Sequence, residues 1–348
     1  MELFSAGTKL NRETYEVEVK SSLLWEAALG IAAITNDSLL DTLEWKEKDR
    51  ELILASFSSD MIDHLSYVKE HNTWKTLLQL LHQGNFTQMS EFQSFIEGLS
   101  NEELKSYAVP YLGRKYEARK QELLEGSEEA LHVLQKELKN HPFLPGYLAF
   151  IMHVSGTQLK EHLGKVMEGW FETVIRPDKE KLSSILTRDH ISKQKRQKQM
   201  NAEQLVEWAT DGVKYLPEPG VHKVILIPHY VYRPWNVEAD LEGVKVFYYA
   251  AANGSIYPEA DVPNKQLVQR YKALGDETRL RVLKRLMEEP HSLQSLTTEL
   301  GMGKTTIHHH LKLLKSARLV KQEGNVYEGN PEVIESMGTD MKAYLGCK

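Results

Sequence analysis

The residues best placed to do chemistry lie in one stretch near the C-terminal end. Between Glu299 and Glu323 there is no carboxylate, whereas Lys304, Lys312, Lys315, Arg318 and Lys321 are all basic. Such a surface suits a polyanion, because each cation that meets a phosphate releases condensed counterions. On a helical projection Lys304, Thr305, His308, His309 and Lys312 share one side, and Ile307, Leu311 and Leu314 share the other. Short polar side chains on the free side of a helix can reach base edges in a major groove. The expected partner is therefore double-stranded DNA, read from the side opposite the leucines.

The flanking text supplies the elements that hold this helix. Gln266–Ala273 reads as a short amphipathic helix ended by Gly275. Asp276 is a good N-cap for a second helix, Glu277–Met287, with Leu280, Leu283 and Leu286 as its apolar stripe and Pro290 beyond its end. Ser292 caps a third, carrying Leu293, Leu296 and Leu300. Gly301-Met302-Gly303 then makes a tight turn into a helix over Lys304–Ser316, so that the pair forms a helix-turn-helix. After it, 318–322 and 325–328 flank Glu323-Gly324 as a small hairpin in the position of a wing, which adds Lys321, Asn325 and Tyr327 to the residues expected at DNA.

Two separate signatures in this region, Ala273-Leu-Gly-Asp-Glu-Thr-Arg-Leu-Arg-Val-Leu283 and Lys304-Thr-Thr-Ile-His-His-His-Leu-Lys-Leu-Leu-Lys-Ser-Ala-Arg-Leu-Val320, resemble the ArsR-type winged helix of bacterial transcriptional regulators. The resemblance covers about residues 264–330. It implies a DNA-binding regulator, expected to repress, with Thr305, Thr306, His308 and His309 at DNA-contact positions and His310 as a histidine kept before the inward leucine. Two positions depart from the pattern: Gly303 replaces a capping serine, and Arg318 replaces the glycine expected at a left-handed turn. The usual paired-cysteine metal site of these proteins has no counterpart in Ser292–Leu300, and the tail 331–348 has no histidine for the alternative site.

The first 260 residues are of another character. Residues 264–330 carry 12 Lys/Arg against 7 Asp/Glu, whereas the first 263 carry 29 against 39, within an overall net charge of −6. That acidic balance argues against a second DNA surface in this part. Thr14–Lys20 alternates like a half-buried strand, and Ser22 to about Trp208 is mostly helical text. Lys223–Val231 and Val244–Ala251 are strand-like and, joined by the polar stretch Asn236–Gly243, are expected to pair antiparallel. Asn253-Gly254 and 258–263 read as a linker. The fold expected is mainly α with small β: a helical domain over 1–262 with a small antiparallel sheet, then a winged helix-turn-helix over 263–348. The N-terminal strands also resemble, more loosely, large regions fused ahead of this winged helix in some bacterial regulators. A sensor or dimerisation role is expected of residues 1–262.

Other chemistries are disfavoured. Gly301-Met-Gly-Lys-Thr-Thr306 lacks the glycine a P-loop needs, because Thr298 stands there. His308-His309-His310 point about 100° apart on a helix and cannot converge on one ion. His64, His71, His153 and His162 lack the i, i+4 spacing of a helical ligand pair and are taken as ordinary surface or core residues. The basic run Lys193–Lys198 is weighed as a solvated helix face ahead of a phosphate contact, and Tyr230, Tyr232, Trp235, Tyr248 and Tyr249 as a packed sheet face ahead of a ligand pocket. No nucleophile elbow, HExxH or dinucleotide fingerprint occurs, so no catalytic residues, no metal, no cofactor and no enzyme activity are expected. Ala27–Ile34 is too short to span a bilayer, MELFSAGTKL does not read as a secretory signal, and Cys347 is a single cysteine, which together predict a cytoplasmic protein. A homodimer on two half-sites, with an unidentified small-molecule effector, is the expected assembly. The alternative is a ligand-binding or protein-interaction module whose winged helix serves as a docking surface.

Overall fold

The computed structural model describes residues 14–258, 263 and 265–345. The chain divides into two compact units, Met1–Ala250 and Ala251–Lys348. Cys347 and most of the linker, 259–262, lie outside the described residues. The second unit starts before residue 263, because the short helix Asn253–Ile256 groups with it.

In the first unit a strand, β1 (Glu16–Val19), leads into helix α1 (Leu23–Ile34), capped by the Ser22 hydroxyl, which accepts from the Leu24 amide at 3.2 Å. Every residue of α1 from Leu24 to Ile34 is buried, as expected of a helix that is apolar all round. Gly30 lies at its middle, where a Cβ would come within 2.6 Å of the Trp170 ring. Further helices from Asp37 to His153 wrap this core. They are followed by α2 (Gly156–Trp170), which continues through a π-helical turn at Phe171–Ile175, then α3 (Lys179–Gln197) and α4 (Ala202–Ala209). The sheet is completed by β2 (Lys223–His229), β3 (Val237–Leu241) and β4 (Val244–Ala250), in the order β1-β2-β4-β3.

The mainly α architecture is as expected, but this sheet is mixed rather than antiparallel. β1 pairs β2 parallel, β2 pairs β4 parallel from Lys223↔Val244 to His229↔Ala250, and only β3 runs antiparallel, against β4. The reason lies in the connection between the two long strands. Residues 237–241 form an edge strand of their own, and Gly243 at φ +72° turns the chain straight back into β4. Both long strands are buried on both faces. Ile225, Ile227, Val246 and Tyr248 pack with α1 in the large core, while Val224, Leu226, Phe247 and Tyr249 pack under α4 with Tyr15 and Val17. A continuous apolar run covered on two sides is the mark of a parallel strand.

Buried polar groups interrupt this core, among them Glu26, the Asp189–Lys193 pair and His162. Glu26 is 1% exposed and accepts from the Tyr230 amide at 2.8 Å, which ties α1 to the exit of β2. Burial pushes its carboxyl up from 4.5 to about 7, against the pull of the Tyr230 and Val231 amides. The folded state therefore binds the proton more tightly than the unfolded chain. Stability from this group is fully present below about pH 4.5 and is lost as pH rises through about 7. The stability difference between the native chain and Glu26→Gln is expected to shift by roughly 3 kcal/mol in favour of glutamine between pH 4 and pH 8. Urea unfolding at the two pH values checks it, and a pH-independent difference contradicts it.

Asp189 accepts from the Tyr249 hydroxyl at 2.7 Å and lies 3.7 Å from the Lys193 ammonium, which also sits 4.0 Å over the Trp208 ring. Lys193 is thus an interior residue, 2% exposed, and neither a solvated nor a phosphate-facing one. His64 and His162, 98 residues apart, meet at 2.9 Å between their Nδ1 atoms, and His162 Nε2 is 2.8 Å from Thr73 Oγ1. These histidines are a long-range pair rather than scattered residues. Burial holds His162 neutral by pushing its value down to about 3. Among the described residues no group of three or more His, Cys, Asp or Glu is placed to hold a metal ion, and no helix is long and apolar enough to cross a membrane.

Candidate nucleic-acid interface

The second unit is built from α5 (Lys265–Leu274), α6 (Glu277–Glu288), β5 (His291–Ser292), α7 (Leu293–Leu300), α8 (Lys304–Ser316), β6 (Val320–Glu323), β7 (Val326–Gly329) and α9 (Pro331–Leu345). The strands form an antiparallel sheet in the order β5-β7-β6. Asp276 caps α6 by accepting from the Arg279 amide at 2.9 Å, and that bond holds its carboxyl below the usual range. Arg279 in turn donates to the carbonyls of Ala273 at 2.6 Å and Lys272 at 3.0 Å, closing the end of α5. Val282, Leu283 and Leu286 face the core, but Leu280, expected in that stripe, is 48% exposed. It lies about 120° around the helix from Leu286, past the edge of the buried face.

The turn between α7 and α8 follows from two glycines. Gly301 takes the left-handed conformation at φ +64°, and Gly303 is the N-cap of α8 at φ −64°, ψ 145°, with no side chain to cap it. Helix α8 drives Ile307, Leu311 and Leu314, each at most 1% exposed, into the core of the unit. Lys304, Thr305, Thr306, His308, His309 and Lys312 are exposed on the rest of its surface, and His310 is half-buried. The side expected to meet DNA is thus open and free of carboxylates.

The end of α8 explains how Arg318 can stand in place of glycine. Its φ is +59°, its amide donates to the Lys315 carbonyl at 2.8 Å, and the Leu319 amide donates to the Leu314 carbonyl at 3.0 Å. These two bonds form a Schellman motif, with Leu319 and Leu314 together in the core as its hydrophobic contact. The Asn330 side chain donates to the Arg318 carbonyl at 3.2 Å and braces the turn.

In the wing, Lys321 and Asn325 are exposed, and Gly324 takes φ +57° at the tip. Lys315 is half-buried, and its ammonium donates to the Gln322 side chain, joining α8 to β6. Burial lowers its proton affinity. Tyr327 does not belong to the exposed set. It is 8% exposed, pairs with His291 in β5 and packs in the core with Leu286 and Leu311. Alternation along β7 puts Val326 and Glu328 outside and Tyr327 and Gly329 inside. The third strand, β5, is two residues long and has no periodicity by which sequence reasoning could have found it.

A winged helix whose second helix offers an open, acid-free polar face defines a DNA-binding transcriptional regulator. Residues 276–322 match the profile described as bacterial regulatory protein, arsR family. Over 78 residues the chain is 32% identical to the HTH-type transcriptional regulator Rv2034 of Mycobacterium tuberculosis (strain ATCC 25618 / H37Rv), an alignment that spans 21% of this chain and 73% of that protein. The chain belongs to the arsR family of bacterial regulatory proteins. No solved structure matches it.

Proposed function

We propose that this chain is a sequence-specific repressor that binds duplex DNA as a homodimer and answers to a small molecule. Helix α8 lies in the major groove, with Thr305, Thr306, His308 and His309 towards base edges. Lys304, Lys312 and Lys321 meet phosphates, Asn325 approaches from the wing tip, and Lys315 holds the wing against α8. The observation that carries this reading is the open face of α8, which combines short polar side chains with lysines and excludes acids from Leu300 to Gln322.

A homodimer is supported by an apolar groove of about 390 Å³ between α5 and α9, lined by Leu267, Val268, Tyr271, Met341 and Tyr344. Tyr271 and Tyr344 are about 40% exposed there, at 40% and 39%. A second copy covering this face would place two α8 helices on two half-sites. Residues 1–262 act as the sensor in this reading. Its support is a cavity of about 550 Å³ beside the start of α1, lined in part by Ser21, Ser22, Phe86, Gln88, Arg176 and Lys179.

Selection of bound fragments from a random duplex library supplies the operator for the test. Replacing Thr305, His308 or His309 by alanine is expected to cost about 1–3 kcal/mol on the selected site for a residue that contacts a base, with less effect on unrelated duplex. Isotherms unchanged for all three variants would falsify the groove assignment.

A further inference from the structure

The basic run at residues 193–198 belongs to a unit that is acidic overall, and the structure splits the run in two. Lys193 turns inward to Asp189. Lys195, Arg196 and Lys198 stay on the surface at the end of α3. Among the described residues no carboxylate lies within ion-pair distance of Lys195 or Lys198. Between Asp189, which is buried, and Glu203 the sequence has no acid at all. The end of α3 itself therefore carries three exposed cations and no acid, although the unit carries a net negative charge.

The same side of α3 holds Lys181 and Arg188, each seven residues before the next cation of the stripe. Residues seven apart sit two turns apart with a drift of about 20°, so Lys181, Arg188 and Lys195 run along one side for roughly 20 Å. The helix dipole favours a cation or two in the last turn. Upstream, Lys181 lies 3.9 Å from Asp178, and the dipole does not account for Lys198 beyond the helix end. The end is also held in place. The Gln197 side chain donates to the Val17 carbonyl of β1 at 2.6 Å, and the Arg196 guanidinium lies 5.7 Å from the Trp208 ring centre. Cations fixed on a rigid helix lose less freedom on meeting a regular array of negative charge than cations on a mobile loop do.

We propose that this face of α3, through Lys195, Arg196 and Lys198, binds the phosphate backbone of duplex DNA outside the segment read by α8. The inference rests on the reading that the chain binds duplex DNA, and it assigns the first unit a second contact that carries no sequence information.

The test uses the full-length chain and a random-sequence 40-base-pair duplex, with affinity followed by fluorescence anisotropy across a salt series. Three proteins are compared with the native chain: Lys195→Ala/Arg196→Ala/Lys198→Ala, the charge-matched Lys48→Ala/Lys136→Ala/Lys139→Ala on exposed sites elsewhere in the first unit, and Lys312→Ala in α8. In the dimer the α3 variant is expected to lose up to about five units of slope in log affinity against log salt, three contacts being lost from each protomer, and roughly tenfold or more in affinity at low salt. The charge-matched variant is expected to keep the native slope to within about one unit, so a contact is separated from a change in net charge. If the α3 variant behaves like that control while Lys312→Ala weakens binding, this inference fails and the α8 reading stands. If the native chain itself binds with no salt dependence, the DNA reading fails with it. Binding of the native chain to phosphatidylserine vesicles that is lost in the α3 variant, with the DNA slope unchanged, would assign the patch to a membrane surface and overturn the proposal.

Discussion

Replacing Asp189 by alanine is expected to destabilise the first unit by about 3–5 kcal/mol, the usual cost of stranding one partner of a buried ion pair. Lys193 is 2% exposed, and burial already depresses its proton affinity while Asp189 supports it. Without the carboxylate the ammonium keeps its desolvation cost and loses its nearest counter-charge. The Tyr249 hydroxyl loses its acceptor at the same time. The lysine then releases its proton more readily in the folded state than in the unfolded chain. The unfolded state holds more protons, so the stability of the variant should rise with pH. Adding Lys193→Met should recover part of the loss, because an apolar side chain removes the stranded charge. Urea unfolding of the native chain, the single variant and the double variant measures all three statements. A single-variant loss below about 1 kcal/mol, or a double variant weaker than the single, contradicts them.

Leu311→Ala is expected to cost the second unit about 2–5 kcal/mol. Leu311 is 1% exposed and sits between Ile307 and Leu314 on the inward side of α8, in the cluster that also holds Leu283, Leu286 and Leu296. A methyl group in its place leaves a cavity under the helix proposed to enter the groove, so DNA affinity should fall together with stability. Hydrogen exchange followed residue by residue separates the two units. Amides of α8 should exchange faster, while those of α1 and β2 keep their protection. Equal loosening of both units, or no change in α8, would show that Leu311 does not hold the winged helix together.

How much of this was legible in the sequence depended on the range of the interactions. Helix α8 was legible to the residue, because its limits rest on local terms: the turn glycines, the three-and-four spacing of Ile307, Leu311 and Leu314, and the left-handed turn at Arg318. The caps at Asp276 and Ser292 are local in the same sense. Leu280 misled because an i, i+3 series drifts around a helix and leaves the buried face within two steps. Tyr327 faces inward because the alternation of β7, and not its place in the wing, sets the side it takes. The pairing of β1 with β2 joins residues some 200 positions apart, and nothing in either strand announces its partner or direction. Burial on both faces was nonetheless written in the uninterrupted apolar text of β2 and β4, which favours a parallel sheet. The contacts of Lys193 with Asp189 and of His64 with His162 show the same limit. A charge run reads as surface, and a lone histidine as unpaired, until the fold supplies the partner.

The claim that the second unit is a DNA reader is tested most directly by the salt dependence of duplex binding. With Lys304, Lys312 and Lys321 on phosphates in each protomer of a dimer, log affinity against log salt should fall with a slope of about −5 or steeper. Alanine at any one of the three should make the slope shallower by about 2 in the dimer, one contact being lost from each protomer. A slope near zero, or native slopes in all three variants, would contradict the assignment of α8 and the wing to DNA.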